Sequence, residues 1–338
     1  MRFIVSLILA VWAVTAAAQD WEERQVFASG AAQATPLRVL SSTDIALFEP
    51  VLQSFLARYP GVEVEYLVTS TASLDTYFRA DPDGYDVVIS SAMDLQLKLA
   101  NDGFALRLED VSHPPRAQWR QSLFAFTTEA AAFVLNRAAF AGQELPTTRQ
   151  GLIRVLRAAP ETFRGRVGTY DIRASGLGYL FATQDARASE TFWRLTEVMG
   201  ALEARLYCCS GEMIEDVAAG RLLVAYNVLG SYAAARGDLG GQIEIIQPVD
   251  FPTTMMRTVF VAERTKVPGP AVDFLRHVLA LQSADAGEEG YALPPLAGAT
   301  GEALPSTIAL EPALITYLDQ LKRKTFIREW ESAIIQGP

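Results

Sequence analysis

A chain of 338 residues, half of them hydrophobic and a fifth charged, exceeds what one compact core normally takes and is too apolar for a disordered segment. Its 29 basic and 39 acidic residues leave a net charge of −10, which excludes nucleic acid and anionic lipid surfaces as partners because both require a basic footprint. A small anionic solute is not excluded, since helix ends and single arginines act locally.

Met1-Arg2, the apolar run 3–14 and Ala16-Ala17-Ala18 read as a secretory signal peptide over residues 1–18, cleaved after Ala18. The apolar run is shorter than the roughly 20 residues a spanning helix needs. The remainder, 338 − 18 = 320 residues, is expected to be exported to the periplasm, and residues 19–35 to form a polar N-terminal tail.

From residue 37 onward apolar β-runs alternate with helical patterns, the signature of an α/β fold. Strand 37–40 leads into a helix marked by Phe48, Leu52, Phe55, Leu56 and Tyr59, which Pro60-Gly61 stops. Strand 62–68, a short helix 75–80, strand 85–89 and a helix 94–101 follow. The β-rich stretch 122–136 carries the chain towards a second lobe. There the pattern predicts a helix to 158, strand 166–169, helices 175–182 and 188–199, strand 205–209, helix 211–219, strand 222–227 and helix 231–236. Strands 243–249 and 257–262 return to the first lobe, and helices 271–282 and 312–324 finish the chain. The expected partition is a discontinuous lobe 1 (36–123 plus 250–305), lobe 2 (124–249), and C-terminal helices near the hinge (306–338).

Four predicted strands end in a serine where a helix begins: Ser41-Ser42-Thr43-Asp44, Ser90-Ser91-Ala92-Met93-Asp94, Arg173-Ala174-Ser175-Gly176 and Ser210-Gly211-Glu212. A helix start carries unpaired N–H groups and a partial positive charge, and open α/β sheets bind ligands beyond the carboxyl ends of their strands. Two junctions fall in each lobe, so the pattern predicts a cleft between lobes for an anionic or oxygen-rich solute. Ser91 and Asp94 have capping-box spacing. Arg173 reads either as a fixed positive charge for the ligand or as a surface partner of Asp171. Glu212, Asp44 and Asn227 are candidate readers of ligand hydroxyls, and Tyr226 a group that stacks on or orients the ligand.

Catalytic signatures are lacking in the sequence. His113 and His277 stand apart from any nucleophile in the chain, no serine occupies a G-x-S-x-G elbow, and no phosphate-binding G-x-x-x-x-G-K-[ST] loop occurs. An exported esterase or phosphatase is the weaker reading, and no catalytic residue, metal or cofactor is assigned. The adjacent Cys208-Cys209 allow a vicinal disulfide, a small buried pair or a soft-metal ligand set.

Three segments, residues 85–96, 206–213 and 225–232, resemble the type II periplasmic solute-binding proteins, the class of ferric, polyamine and sugar-phosphate binders. Within it they are most similar to the phosphoglycerate transport regulatory family. The resemblance spans nearly the whole exported chain and implies two mostly parallel α/β lobes joined by crossover strands, closing as a hinge on a small solute. It also implies a monomer that presents the closed form to an ABC permease or a membrane sensor kinase. Ferric binders of this class use two adjacent tyrosines after a second-lobe strand, whereas this chain has Tyr226-Asn227 and Ser231-Tyr232 there. Ferric iron is therefore the alternative ligand, and a phosphorylated metabolite the leading one.

Overall fold

The computed structural model describes residues 21–28, 30, 33–283, 291–296 and 307–336. The expected signal peptide lies outside the described residues, as do parts of the return segment of lobe 1.

The first lobe begins with β1 (Glu23–Ala28), β2 (Thr35–Ser41), α1 (Ile45–Arg58), β3 (Val62–Val68), α2 (Thr71–Ala80), β4 (Val87–Ser90), α3 (Met93–Asn101), β5 (Gln118–Trp119) and β6 (Leu123–Ala125). The second lobe holds β7 (Glu129–Asn136), α4 (Arg149–Ala158), α5 (Pro160–Phe163), β8 (Val167–Tyr170), α6 (Gly176–Ala188), α7 (Thr191–Ala201), β9 (Arg205–Tyr207), α8 (Ser210–Ala218), β10 (Val224–Leu229), α9 (Gly230–Ala235) and β11 (Ile243–Ile246). The chain returns through β12 (Thr254–Met255) and β13 (Thr258–Val261) to α10 (Pro268–Ser283). A 3-10 turn (Pro312–Leu318) and α11 (Gln320–Ile334) close it.

One sheet runs β1-β3-β2-β4-β13-β6-β5, the other β11-β7-β10-β8-β9 with β12 beside β7. β2 pairs in parallel with both β3 and β4, and Leu37, Val39, Leu40, Val64, Leu67, Val87, Val88 and Ile89 are fully buried. Towards their carboxyl ends, at Val39-Leu40, Tyr66-Leu67-Val68 and Val87-Val88-Ile89, both faces are covered and the strands read as continuous apolar runs, whereas Arg38, Glu63 and Glu65 alternate with apolar residues nearer the start.

Residues 23–28, expected as part of a tail, form β1, antiparallel to β3 with Glu23 opposite Val68. Only Phe27 of this edge strand is buried, so its sequence offers no periodicity to read. At the other end, α11 packs on α7 and inserts Phe326, Trp330 and Ile334 into the second-lobe core, while the preceding 3-10 turn lies against α3 of the first lobe. The C-terminal segment thus touches both lobes. Among the described residues no helix is long and apolar enough to cross a membrane.

Candidate functional site: an interlobe cleft at the strand ends

A cleft of about 370 Å³ opens between the lobes, and most of its lining lies just past the carboxyl end of a strand. Ser42 and Asp44 follow β2, Thr69 to Thr71 follow β3, Ser91 follows β4, Ser175 follows β8, Cys208 to Glu212 follow β9, and Tyr232 follows β10. Glu22 and Glu23 join from the start of β1, because its antiparallel pairing puts that start beside the end of β3. A larger hollow of about 860 Å³, edged by Arg157, Trp193 and Glu197, lies on lobe 2 away from these strand ends.

The lobes touch across the cleft. The Leu177 N–H donates to Thr71 Oγ1 at 3.1 Å, and Tyr232 Oη donates to Asp44 Oδ1 at 3.2 Å. Gly176 is placed so closely that an added Cβ would come within 2.9 Å of Leu95 Cδ1 and 3.2 Å of Ala92 Cβ. The Cys208–Cys209 pair forms a vicinal disulfide, half-buried in the cleft wall, with Cys209 Sγ 3.9 Å from Glu22 Oε1.

The sides of the cleft differ in chemistry. Thr69 and Ser91 are each only 2% exposed, and their hydroxyls make no hydrogen bond among the described residues. Beside them, Ser175 caps α6 by accepting from the Gly178 N–H, and Ser70 caps α2 by accepting from Ser73. Opposite stand Glu22, Glu23 and Asp44 of lobe 1, with Glu212 and Glu215 of lobe 2, and among the described residues no lysine or arginine lines the cleft. Burial raises the Asp44 carboxyl above its ordinary range despite the hydrogen bond from Tyr232. Burial, then the charges of Asp44, Glu212 and Glu23, raise Glu22, and burial with Asp44 raises Glu23.

Of the residues singled out in the sequence, Asp44, Ser91, Ser175, Ser210, Gly211 and Glu212 come together around the cleft, with Gly176 at the adjoining lobe contact. Ser210 is already engaged, bonded to Tyr170 Oη and accepting from the Leu229 N–H. The expected capping box does not form: Ala92 is the N-cap of α3, and Asp94 accepts from its neighbour Leu95, leaving the Ser91 hydroxyl facing the cleft. Ser41, Thr43 and Ser90 are buried behind the lining. Ser41 accepts from Tyr66 and the Thr43 N–H, Thr43 accepts from Arg257, and Ser90 accepts from the Ala92 N–H.

Arg173 lies on the surface, paired with Asp171 at 2.7 Å and Glu331 at 3.1 Å, and supplies no charge to the cleft lining. Tyr226 and Asn227 point into lobe 2, where both donate to Asp185 Oδ2 at 2.6 and 2.8 Å. Arg149, 1% exposed, completes that network through Asp185 Oδ1 and Tyr226.

Arg257 was missed in the sequence. Fully buried at the return crossover, it grips Glu129 of the outgoing strand at 2.9 and 3.0 Å and donates to Thr43. Its guanidinium lies 5.7 Å over the Tyr232 ring. Burial alone would raise the Glu129 carboxyl, but Arg257, with Ser231 and Thr127, holds it below its ordinary value. The signal was a lone arginine within the apolar stretch 255–261, since such a cation must have a buried partner. His277 meets Ser54 at 2.8 Å between α1 and α10, outside the cleft lining.

No family model and no curated protein matches the chain. Among solved structures, the substrate-binding protein of an ABC transporter from Agrobacterium tumefaciens is 31% identical, with a TM-score of 0.86 over 92% of this chain and 98% of that one. The periplasmic binding protein AfuA from Actinobacillus pleuropneumoniae, with fructose-6-phosphate bound, is 15% identical with a TM-score of 0.71 over 89% of this chain and 99% of that one. Iron-bound HitA from Pseudomonas aeruginosa is 16% identical with a TM-score of 0.63 over 88% of this chain and 99% of that one. The last two likenesses speak for the fold alone. With its two α/β lobes, its crossover strands and a near full-length relative at 31% identity, this chain belongs to the substrate-binding proteins of ABC transporters, on the type II periplasmic binding protein fold.

Proposed function

We propose that this protein captures, in the periplasm, a small hydroxylated solute bearing an anionic group, and that it presents the closed complex as a monomer to an ABC permease. The observation that carries the reading is the pair of hydroxyls of Thr69 and Ser91, which make no hydrogen bond among the described residues and line the cleft beside the starts of α2 and α6. Hydroxyls and helix N-termini are suited to phosphate or carboxylate oxygens. Asp44 and Glu212 would accept hydrogen bonds from the solute. A membrane sensor kinase is the second possible receiver of the closed form.

Ferric iron draws less support from this lining. Tyr170 and Tyr232, the two tyrosines at the cleft, already bond Ser210 and Asp44, and burial raises rather than lowers both phenols. The test is calorimetry of ligand-stripped protein against phosphorylated three- to six-carbon metabolites and against ferric ion. Saturable binding of a phosphate ester is expected. Binding of ferric ion with no response to any ester would reverse the assignment.

A further inference from the structure

The two sides of the cleft ask for opposite charges. On one side, the hydroxyls of Thr69 and Ser91 and the capped starts of α2 and α6 converge, brought together by the Leu177 N–H bond to Thr71 and by the close approach of Gly176 to Ala92. On the other, Glu22 and Asp44 of lobe 1 face Glu212 of lobe 2, with Gly211 4.0 Å from Asp44 Oδ2 where an added Cβ would sit. Glu22, Glu23, Asp44 and Glu212 have no ion-pair partner among the described residues, and Glu215 alone reaches an arginine, Arg236, at 3.2 Å. Closing the lobes therefore brings Glu212 towards Glu22 and Asp44 with no ion-pair partner among the described residues, and the nearest opposing charge is the buried Arg257 behind the Tyr232 ring.

Like charges drawn together near a protein surface repel, so this repulsion opposes closure unless the solute neutralises it. A solute that was only anionic would add to it. Deepening the reading above, on which it rests, we infer that the solute is a zwitterion, its anionic group at Thr69, Ser91 and the start of α6 and its ammonium between Glu22, Asp44 and Glu212. The cleft volume of about 370 Å³ admits roughly a dozen non-hydrogen atoms, on the basis of about 30 Å³ for each water-sized group. That room suits an ammonium and an anion separated by a few bonds.

The experiment is calorimetry on ligand-stripped protein with four probes of similar size: O-phosphoethanolamine (both charges), glycerol 3-phosphate (anion), ethanolamine (cation) and glycerol (neither). O-phosphoethanolamine is expected to bind at least tenfold tighter than glycerol 3-phosphate. Glu22→Gln should narrow that gap to threefold or less with a melting temperature no lower than that of the native protein, since its carboxyl is raised in the fold, and Asp44→Asn should do the same. Equal or tighter binding of glycerol 3-phosphate overturns the zwitterion and leaves the anionic reading standing. Ethanolamine as tight as O-phosphoethanolamine overturns both, and so does failure of all four probes to bind.

Discussion

Replacing Arg257 by methionine tests the buried ion pair at the hinge. Arg257 and Glu129 are both fully buried, their two contacts measure 2.9 and 3.0 Å, and neither side chain has surface open to solvent that would soften the loss of its partner. Removing one member of such a pair leaves an uncompensated charge, at a cost of about 3–5 kcal/mol. At about 2 cal/mol/K per residue of unfolding entropy, a chain of this size would lose roughly 5–8 °C in melting temperature. The signs with pH are opposite for the two proteins. In the native protein Glu129 lies below its ordinary value, so its contribution is present at neutral pH and lost as pH falls through the lowered value. In Arg257→Met the unpaired, buried carboxyl is raised instead, so the variant recovers stability as pH falls towards 5. Urea unfolding followed by circular dichroism at pH 7.5 and 5 measures both effects, and a second variant, Arg257→Met with Glu129→Leu, should regain most of the loss at pH 7.5. A single-variant loss below 1 kcal/mol, or a double variant no more stable than the single, would refute the reasoning.

Other outcomes follow from the same geometry. Gly176→Val places two further methyls against Leu95 and Ala92, and separating the lobes relieves the clash more readily than unfolding does. Small-angle scattering should therefore show a larger radius of gyration with an unchanged circular dichroism spectrum, and an unchanged radius would count against lobe contact at this point. Asp94, 2% exposed and without an ion pair among the described residues, has its carboxyl pushed up to about 7 by burial. Because its folded value lies above its unfolded one, the charge destabilises the fold increasingly from about pH 4 to 7 and by a constant amount above. Asp94→Asn should then stabilise the protein by on the order of 1–4 kcal/mol at pH 8 and by little at pH 4, measured by urea titration. Equal effects at both pH values would show that Asp94 does not titrate in this range.

The alternation of strands and helices was legible because the carboxyl halves of β2 and β3 and the whole of β4 are buried on both faces and form compact apolar runs. β1 was not, since an edge strand with one buried side chain has no pattern, and with it went Glu22 and Glu23 of the cleft. The serines at strand ends were readable as helix starts, but which hydroxyl bonds its own backbone and which faces the cleft depends on where each helix begins. The α3 start at Met93 rather than at Ala92, where a Ser91 cap would have placed it, turned Ser91 from a cap into cleft lining. Tyr226 and Asn227 went astray for a related reason. β10 continues to Leu229, two residues past the expected end, so these side chains lie within the sheet and Tyr232 reaches the cleft instead. Arg173 and Arg257 show the limit most sharply, because burial separates a surface arginine from a hinge arginine and the sequence pattern around each was the only guide to it.

The bond from the Leu177 N–H to Thr71 has a consequence for how the empty protein behaves. It needs no solute, and a neutral hydrogen bond of about 1 kcal/mol multiplies the ratio of shut to open unloaded molecules by about five. A higher shut fraction strengthens apparent affinity, because less closing work falls to the solute. The same fraction meets the permease carrying nothing, so Thr71 sets a balance between scavenging a scarce solute and sparing the transporter futile encounters.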